Sequence, residues 1–219
     1  KPFMIKTIKA SKSEKLLFVF LIVIAFFTFS SFFLLKNKCL FVEKINLDKI
    51  NFAKPENIVV MNVECGDVII ELYPNLSPQS VKRFKTLIKN KKYDGSAFYK
   101  VVENTLVQAG DIEFGNIDYL NYSKIGSGKS GLGILKSEIS DEYKFIEGSV
   151  GLARSTEFDT EDSEFFITLK EIPIYQGEYT PIGKVIYGLD ILRKIKIGNK
   201  GIYVLRPDYI NTFRIFKSN

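Results

Sequence analysis

Histidine and tryptophan are both absent from this chain of 219 residues. Without histidine, the chain cannot build a serine–histidine–aspartate triad, a histidine acid–base catalyst or a zinc site of the Cys/His type. Cysteine is scarce, because Cys39 and Cys65 are the only two and form no Cys-x-x-Cys pair. Two cysteines are also too few for a disulfide framework. We therefore expect no metal site and no cofactor.

The charge of the chain is nearly balanced, with 31 basic and 25 acidic residues and a net charge of +6. A nucleic-acid surface needs basic residues gathered on one element beside aromatics that stack on bases. Basic residues do crowd one predicted helix, at Lys82, Arg83, Lys85 and Lys89, but no stacking aromatics accompany them. We interpret that face as a solvated surface and predict no nucleic-acid partner.

The one long hydrophobic run, residues 16–35, contains no charged residue. At about 1.5 Å per residue, a helix of this length spans about 30 Å, the thickness of a hydrocarbon core. A cleavable signal peptide has a shorter apolar core and a small-residue exit, whereas this run continues into Lys36 and Lys38. We predict an uncleaved transmembrane helix, and the similar number of lysines on each side leaves its orientation open.

The rest of the chain divides around this run into a basic amino-terminal segment (residues 1–15), a linker (36–57) and a strand-rich domain (58–219). The domain opens with two predicted strands, Ile58–Val63 and residues 68–72, joined by a tight turn at 65–67. A helix is predicted from Pro78, with Ser77 as its N-cap and an apolar stripe at Val81, Phe84, Leu87 and Ile88.

Two runs that mix aromatic and polar residues are candidates for a functional site: FYKVVENTLVQAGD at residues 98–111 and SEFFIT at 163–168. Gln108 lies among apolar neighbours, so its amide needs either a structural partner or a ligand. The glycine-rich loop at 126–133 contains Gly-Lys-Ser, but Ser123 stands where a phosphate-binding loop requires its first glycine.

These runs resemble the paired signature strands of the cyclophilins, FHRVIPGFMIQGGD and SQFFI. Residues 148–168 and 175–185 are similar to two further segments of the bacterial and organellar members, and the order of elements agrees over about 58–216. The resemblance implies a mainly β fold, a closed eight-stranded antiparallel barrel with a helix over each open end. It also implies peptidyl-prolyl cis-trans isomerase activity on proline-containing polypeptide segments.

The resemblance places the family's catalytic arginine on Lys100. It places the substrate-binding residues on Thr105, Leu106, Gln108, Arg154, Glu164, Phe166, Tyr179 and Ile182. The reaction crosses a barrier of about 18–20 kcal/mol, and a hydrogen bond from a cation to the prolyl nitrogen favours the twisted transition state. This mechanism requires no metal, nucleophile or general base.

Three residues depart from the family pattern: Lys100 replaces arginine, Thr105 replaces phenylalanine and Glu164 replaces glutamine. Two functions therefore stay open. One is a weakly active isomerase that assists protein folding as a single-pass protein of a bacterial or mitochondrial inner membrane. The other is a catalytically impaired cyclophilin-like accessory subunit of a larger membrane complex.

Overall fold

The computed structural model describes residues 11–36, 38–40, 42, 45–47, 50–198 and 203–217. The chain divides into two compact units, residues 1–40 and 41–219. Neither cysteine is a free thiol.

The first unit contains one helix, α1 (Lys12–Lys36). Its apolar side chains are exposed, with Leu16 and Phe29 each 73% accessible. Among the described residues it is the one helix long and apolar enough to cross a membrane, over Lys12–Leu34. The helix is longer than the predicted run of 16–35, because Ser13 and Glu14 also join its first turn.

The second unit is built on one antiparallel sheet of eight strands. Its strands are β1 (Ile58–Val63), β2 (Gly66–Leu72), β3 (Lys100–Val102), β4 (Leu106–Ala109), β5 (Ser149–Leu152), β6 (Phe165–Thr168), β7 (Pro181–Tyr187) and β8 (Thr212–Ile215). Their order across the sheet is β3-β4-β6-β5-β7-β2-β1-β8. The first hairpin turns at Glu64 and Cys65, one residue earlier than predicted, because Gly66 already pairs with Val63.

The sheet is curled but open, so the predicted closed barrel is wrong. Its edge strands, β3 and β8, do not pair with each other among the described residues. The segment before β8 instead meets the region of β3 through single bridges, Ala97 to Tyr209 and Lys100 to Tyr203. Both edge strands are short, so neither offers the continuous ladder that closure requires.

The helix α2 (Pro78–Lys89) begins at the predicted residue and buries the predicted apolar stripe. Ser77 stands at the N-cap position, yet its side chain makes no capping bond and donates instead to the carbonyl oxygen of Pro181, at 2.5 Å. The cap comes from Glu138, whose carboxylate accepts from the N–H groups of Gln79 (3.1 Å) and Ser80 (2.8 Å). The predicted helix is confirmed, and its predicted side-chain cap is wrong.

The hydrophobic core lies between the sheet and its helices. Phe84 of α2 packs against Tyr93, Phe165 and Phe213, with ring centroids 5.2–5.5 Å apart. A second, four-residue helix, α3 (Leu189–Leu192), packs against β2 and buries Ile191 and Leu192. Edge-to-face aromatic packing of this kind fixes the helices on the sheet and leaves its outer face for the site.

Candidate active site

One row of the sheet brings together the residues expected to carry the chemistry. Strand pairing aligns four positions across β3, β4, β6 and β5: Lys100, Gln108, Phe166 and Gly151. Their neighbours in the same strands belong to the core: Val101, Val107, Ile167 and Val150. Because successive side chains point to opposite faces of a sheet, the row lies on the outer face. A cation, an amide and an aromatic ring therefore share one surface.

Gly151 allows the ring of Phe166 to lie across β5. A Cβ at this position would stand 2.5 Å from Cζ of Phe166 and 2.9 Å from Cε1 of Phe145. Side-chain atoms do not approach a Cβ this closely, so only glycine fits without moving the rings. The sequence placed Gly151 inside a matched segment but gave it no role.

The apolar part of the site is covered by the protein's own aromatic rings. Phe166 contacts Phe145, Tyr175 and Tyr179, with centroids 5.6, 5.3 and 5.1 Å away. Only 2% of Phe166 and 4% of Leu106 is exposed. Burial raises the pKa of Tyr175, with Tyr179 adding a smaller effect in the same direction. The structure thus brings Phe166 and Tyr179 together, and Tyr175 and Tyr179 form a cover over Phe166 that a ligand would have to displace.

The polar part of the site is a triangle of Tyr99, Gln108 and Glu164, here called the amide triangle. The Nε2 amide of Gln108 donates to Tyr99 Oη at 2.5 Å and to Glu164 Oε2 at 3.0 Å. The Tyr99 hydroxyl donates to the same carboxylate oxygen through a short hydrogen bond. Burial raises the pKa of Glu164, and burial together with the Glu164 charge raises that of Tyr99 well above its usual value.

Tyr99 is a site residue that the sequence did not reveal. Its place in FYK could suggest only an aromatic neighbour of Lys100, since its carboxylate partner lies 65 residues away in the chain. Glu164 is where the resemblance placed it, and its contacts explain how a carboxylate is accommodated beside Gln108. Two donors, a hydroxyl and an amide, face its charge.

Arg154 lies beside the site, but its donors are largely used within the surrounding loops. Its guanidinium donates to the carbonyl oxygens of Glu178 (3.0 Å) and Thr156 (2.9 Å) and to the Glu178 carboxylate (3.0 Å). It also stacks over Phe158, 4.1 Å from the ring centroid, and over Tyr179, at 5.0 Å. These contacts hold the surrounding loops in place, and the contact of Arg154 with substrate stays a prediction.

The two remaining predicted positions differ in their outcome. Ile182 is completely buried in the core, so its side chain does not reach the outer face and the predicted contact with substrate is not supported. Thr105 is partly exposed at the start of β4, where its hydroxyl donates to the carbonyl oxygen of Glu103 at 3.0 Å. Its carbonyl oxygen also accepts from Leu169.

Two carboxylates organise the loops around the site. Asp111 accepts from the N–H groups of Phe114 (2.8 Å) and Gly126 (2.7 Å), so it joins the two ends of the intervening segment. Asp162 pairs with Arg83 of α2 at 2.6 Å and accepts from the N–H of Ser130, also at 2.6 Å. Neither role could be read from the sequence, because Gly126 lies 15 residues from Asp111, and Ser130 and Arg83 lie 32 and 79 residues from Asp162.

Two small clefts flank the amide triangle. One of about 270 Å³ is bordered by Glu164, Arg154 and the glycine-rich loop. The other, of about 230 Å³, lies between Tyr99, Tyr122 and Tyr203. Within the part of the chain that the structure describes, no group of histidine, cysteine, aspartate or glutamate residues could hold a metal ion.

Comparison with known proteins agrees with this geometry. Residues 58–214 match the family described as cyclophilin type peptidyl-prolyl cis-trans isomerase. A probable peptidyl-prolyl cis-trans isomerase of Brucella suis is 40% identical over 149 residues, which cover 68% of this chain and 76% of the relative. A peptidyl-prolyl cis-trans isomerase of Acinetobacter baylyi is 30% identical over 148 residues, 65% of this chain and 73% of the relative.

Solved structures show the same fold. A cyclophilin of Cryptosporidium parvum has a TM-score of 0.64 and 26% identity, covering 74% of this chain and 98% of its own. Its structure in the presence of the dipeptide Ala-Pro gives a TM-score of 0.63 at 25% identity, covering 74% and 99% of the two chains. With the family match spanning most of the chain, these relatives lead to one conclusion. The chain belongs to the cyclophilin-type peptidyl-prolyl cis-trans isomerases.

Proposed function

We propose that this chain is an active peptidyl-prolyl cis-trans isomerase that binds proline-containing segments on the outer face of β3, β4 and β6. One observation carries the proposal: Lys100, Gln108 and Phe166 lie in one register-matched row. The row supplies a cation, a hydrogen-bonding amide and an apolar surface, the three groups that rotation about a prolyl bond requires. Proline-containing polypeptides are the expected partners, and no cofactor is needed.

In this mechanism Lys100 donates a hydrogen bond to the prolyl nitrogen. That nitrogen gains its lone pair only when the amide twists, so the bond is stronger in the transition state than in either planar isomer. Gln108 holds the neighbouring backbone of the substrate, while Leu106 and Phe166 contact the proline ring. Lysine offers one point charge where arginine offers a planar fork, so we expect turnover to be low.

The test is the rate of proline-peptide isomerisation by the full chain in detergent micelles. We expect Lys100→Ala to remove most of the activity, because losing one preorganised charge contact costs about 10²–10³ in rate. Lys100→Arg should increase the activity, because it restores the planar guanidinium group of arginine. The exposed Lys170→Ala is the matched control and should be unchanged. Equal rates for the unaltered chain and a folded Lys100→Ala variant would contradict the proposal.

A second function is favoured by one observation, the cover over Phe166. Since Tyr175 and Tyr179 lie against this ring and leave it 2% exposed, a proline ring can enter only if they move. A covered site suits an accessory subunit of a membrane complex. Such a subunit should co-purify with its complex in constant stoichiometry and show no turnover, whereas a folding catalyst should appear with varied clients.

We further propose that α1 anchors the domain to a membrane, where it assists folding of other proteins. The length and apolar composition of α1 support this location. The bacterial relatives are compatible with a bacterial inner membrane, and the mitochondrial inner membrane is the alternative.

A further inference from the structure

We propose that Tyr99 and Glu164 are positioning residues that fix the orientation of the Gln108 amide, so that its oxygen is presented as an acceptor beside Lys100. This inference rests on the proposed function, because it concerns the same candidate active site. The cyclophilin signature has no tyrosine at the position of Tyr99, so this role is new to the position. The carboxylate of Glu164 has a task that the usual glutamine, a neutral amide, could not perform in the same way.

The hydrogen bonds determine which end of the amide faces inward. An ionised carboxylate can only accept hydrogen bonds, so the group of Gln108 that lies 3.0 Å from Glu164 Oε2 must be the N–H end. The same nitrogen donates to Tyr99 Oη at 2.5 Å, and the Tyr99 hydroxyl is committed to the carboxylate. The oxygen of the amide therefore points away from Glu164.

The residue directly opposite Gln108 in the sheet is Lys100. Lys100 and Gln108 are directly opposed in the pairing of β3 with β4, where side chains of facing residues start about 5 Å apart. An amide oxygen held there can accept from the Lys100 ammonium or from a substrate N–H. A lysine on a flexible stem gains most from a fixed acceptor, since it lacks the rigid fork of arginine.

A glutamine at position 164 would not give this orientation. Its amide can present either an oxygen or an N–H to Gln108, so both orientations of Gln108 would be populated. Protonating Glu164 has a similar effect, because the carboxylic acid gains a donor. The groups that face Glu164 are the donors Tyr99 and Gln108, the Asp111 carboxylate, which raises its pKa, and the Lys129 ammonium, which lowers it.

The experiment is a mutant cycle on the full chain in micelles, with peptide isomerisation as one measurement. We expect Tyr99→Phe and Glu164→Gln each to reduce turnover about tenfold, the effect of one hydrogen bond. Tyr99→Phe should have little further effect in the Gln108→Ala background, because both changes act through the same amide. The control Tyr187→Phe removes a hydroxyl from an exposed tyrosine at the end of β7, away from the site, and should leave turnover unchanged.

A pH profile separates positioning from simple packing. Turnover should rise with pH as Glu164 ionises, with an inflection above the usual carboxyl range, because burial raises the pKa of this group. That inflection should be absent from Glu164→Gln. The inference would be overturned if Glu164→Gln kept the same inflection. It would also be overturned if Tyr99→Phe reduced turnover equally in the unaltered chain and in the Gln108→Ala background.

A second measurement does not depend on catalysis. In NMR spectra of the chain labelled at glutamine side chains, the Gln108 amide signals are assigned by their loss in Gln108→Ala, and we expect them to shift in Tyr99→Phe and to titrate with Glu164. If no variant turns over but these signals respond as expected, the proposed function fails and the positioning role stands. Signals that respond neither to Tyr99→Phe nor to pH would refute the positioning role, whatever the turnover.

Discussion

At the scale of single residues, Glu164 is a carboxylate of the candidate site that carries a cost in stability. Its carboxylate lies in a partly buried position and receives hydrogen bonds from Tyr99 and Gln108. Burial is the largest influence on it and raises its pKa, which means that the two hydrogen bonds do not fully offset the cost of desolvating the charge. Residues that are useful in a site often carry such a cost.

Stability should therefore depend on pH through Glu164. A carboxyl whose pKa is raised in the folded state stabilises the protein most below its unfolded pKa, and this contribution is lost as the pH rises through the folded pKa. We expect the free energy of unfolding of the unaltered chain to fall relative to that of Glu164→Gln as the pH rises from about 4, the usual carboxyl pKa, through the raised pKa of Glu164. Urea unfolding of both proteins across this range measures the difference, and a difference that is constant with pH would contradict the assignment.

At the scale of elements, α2 shows which features of the fold can be inferred locally. Its apolar stripe follows from the spacing of Val81, Phe84, Leu87 and Ile88, and its start follows from Pro78. Both were predicted and are confirmed. Its cap was not predictable, because Glu138 comes from a loop 58 residues away and leaves Ser77 free to bond elsewhere.

The same limit applies to the site and to the sheet. The row of Lys100, Gln108 and Phe166 was found through the resemblance to a family, whereas the partner of Tyr99 depends on tertiary structure. Ile182 was assigned to the substrate site by the resemblance, whereas its side chain is buried in the core, and one residue of register decides which face a side chain occupies. The closed barrel was taken from the resemblance to the family, and local sequence could not correct it, because strand length near the edges is set by long-range pairing and not by local propensity.

The remote cap of α2 gives a direct test. Glu138→Ala removes the acceptor for two N–H groups at the first turn, so we expect it to lower the free energy of unfolding by about 1 kcal/mol. The exposed Glu142→Ala is the matched control and should change stability by less than about 0.5 kcal/mol. Chemical denaturation compares the two, and similar effects would show that Glu138 does not cap the helix.

The ion pair between Arg83 and Asp162 ties α2 to the glycine-rich loop. Its side chains are 12% and 5% exposed, and Arg83 also donates to the carbonyl oxygen of Gly133 at 2.8 Å. We expect Asp162→Asn to cost about 3 kcal/mol, since it leaves a buried guanidinium without its counter-charge.

The control for this pair is Glu147→Gln. It makes the same chemical change in the exposed pair with Arg193, whose side chains are 50% and 36% accessible. We expect a loss below about 1 kcal/mol, because solvent screens the interaction. Thermal or urea unfolding ranks the two variants, and the opposite ranking would show that Asp162 is not a principal connection between helix and loop.

At the scale of the whole molecule, the proposed anchor combines an apolar helix with a domain whose own core is complete. The exposed apolar side chains of α1 are the observation on which the proposed anchor depends. We expect Ile24→Arg, with a charge at mid-span, to weaken membrane insertion by about 2.5–3.5 kcal/mol. Ser13→Arg adds the same charge at the end of the helix and should insert normally.

Carbonate extraction of membranes measures this difference. The unaltered chain and Ser13→Arg should remain with the membrane, while Ile24→Arg should appear in part in the soluble fraction. Release of the unaltered chain by carbonate would refute the anchor and would leave the isomerase proposal untouched, because the groove residues all lie within residues 41–219.

The hydrogen bonds of the Asp111 carboxylate determine where this domain can accept insertions during evolution. Because it binds the chain both at Phe114 and at Gly126, the strand that carries Gln108 is insulated from what happens at residues 118–120, which precede Tyr122 and the cleft beside Tyr99. Insertions and deletions are tolerated best in a loop whose two ends are held by such hydrogen bonds, so this stretch can accept additional residues. A short epitope grafted there should provide a handle for purification while the site continues to work.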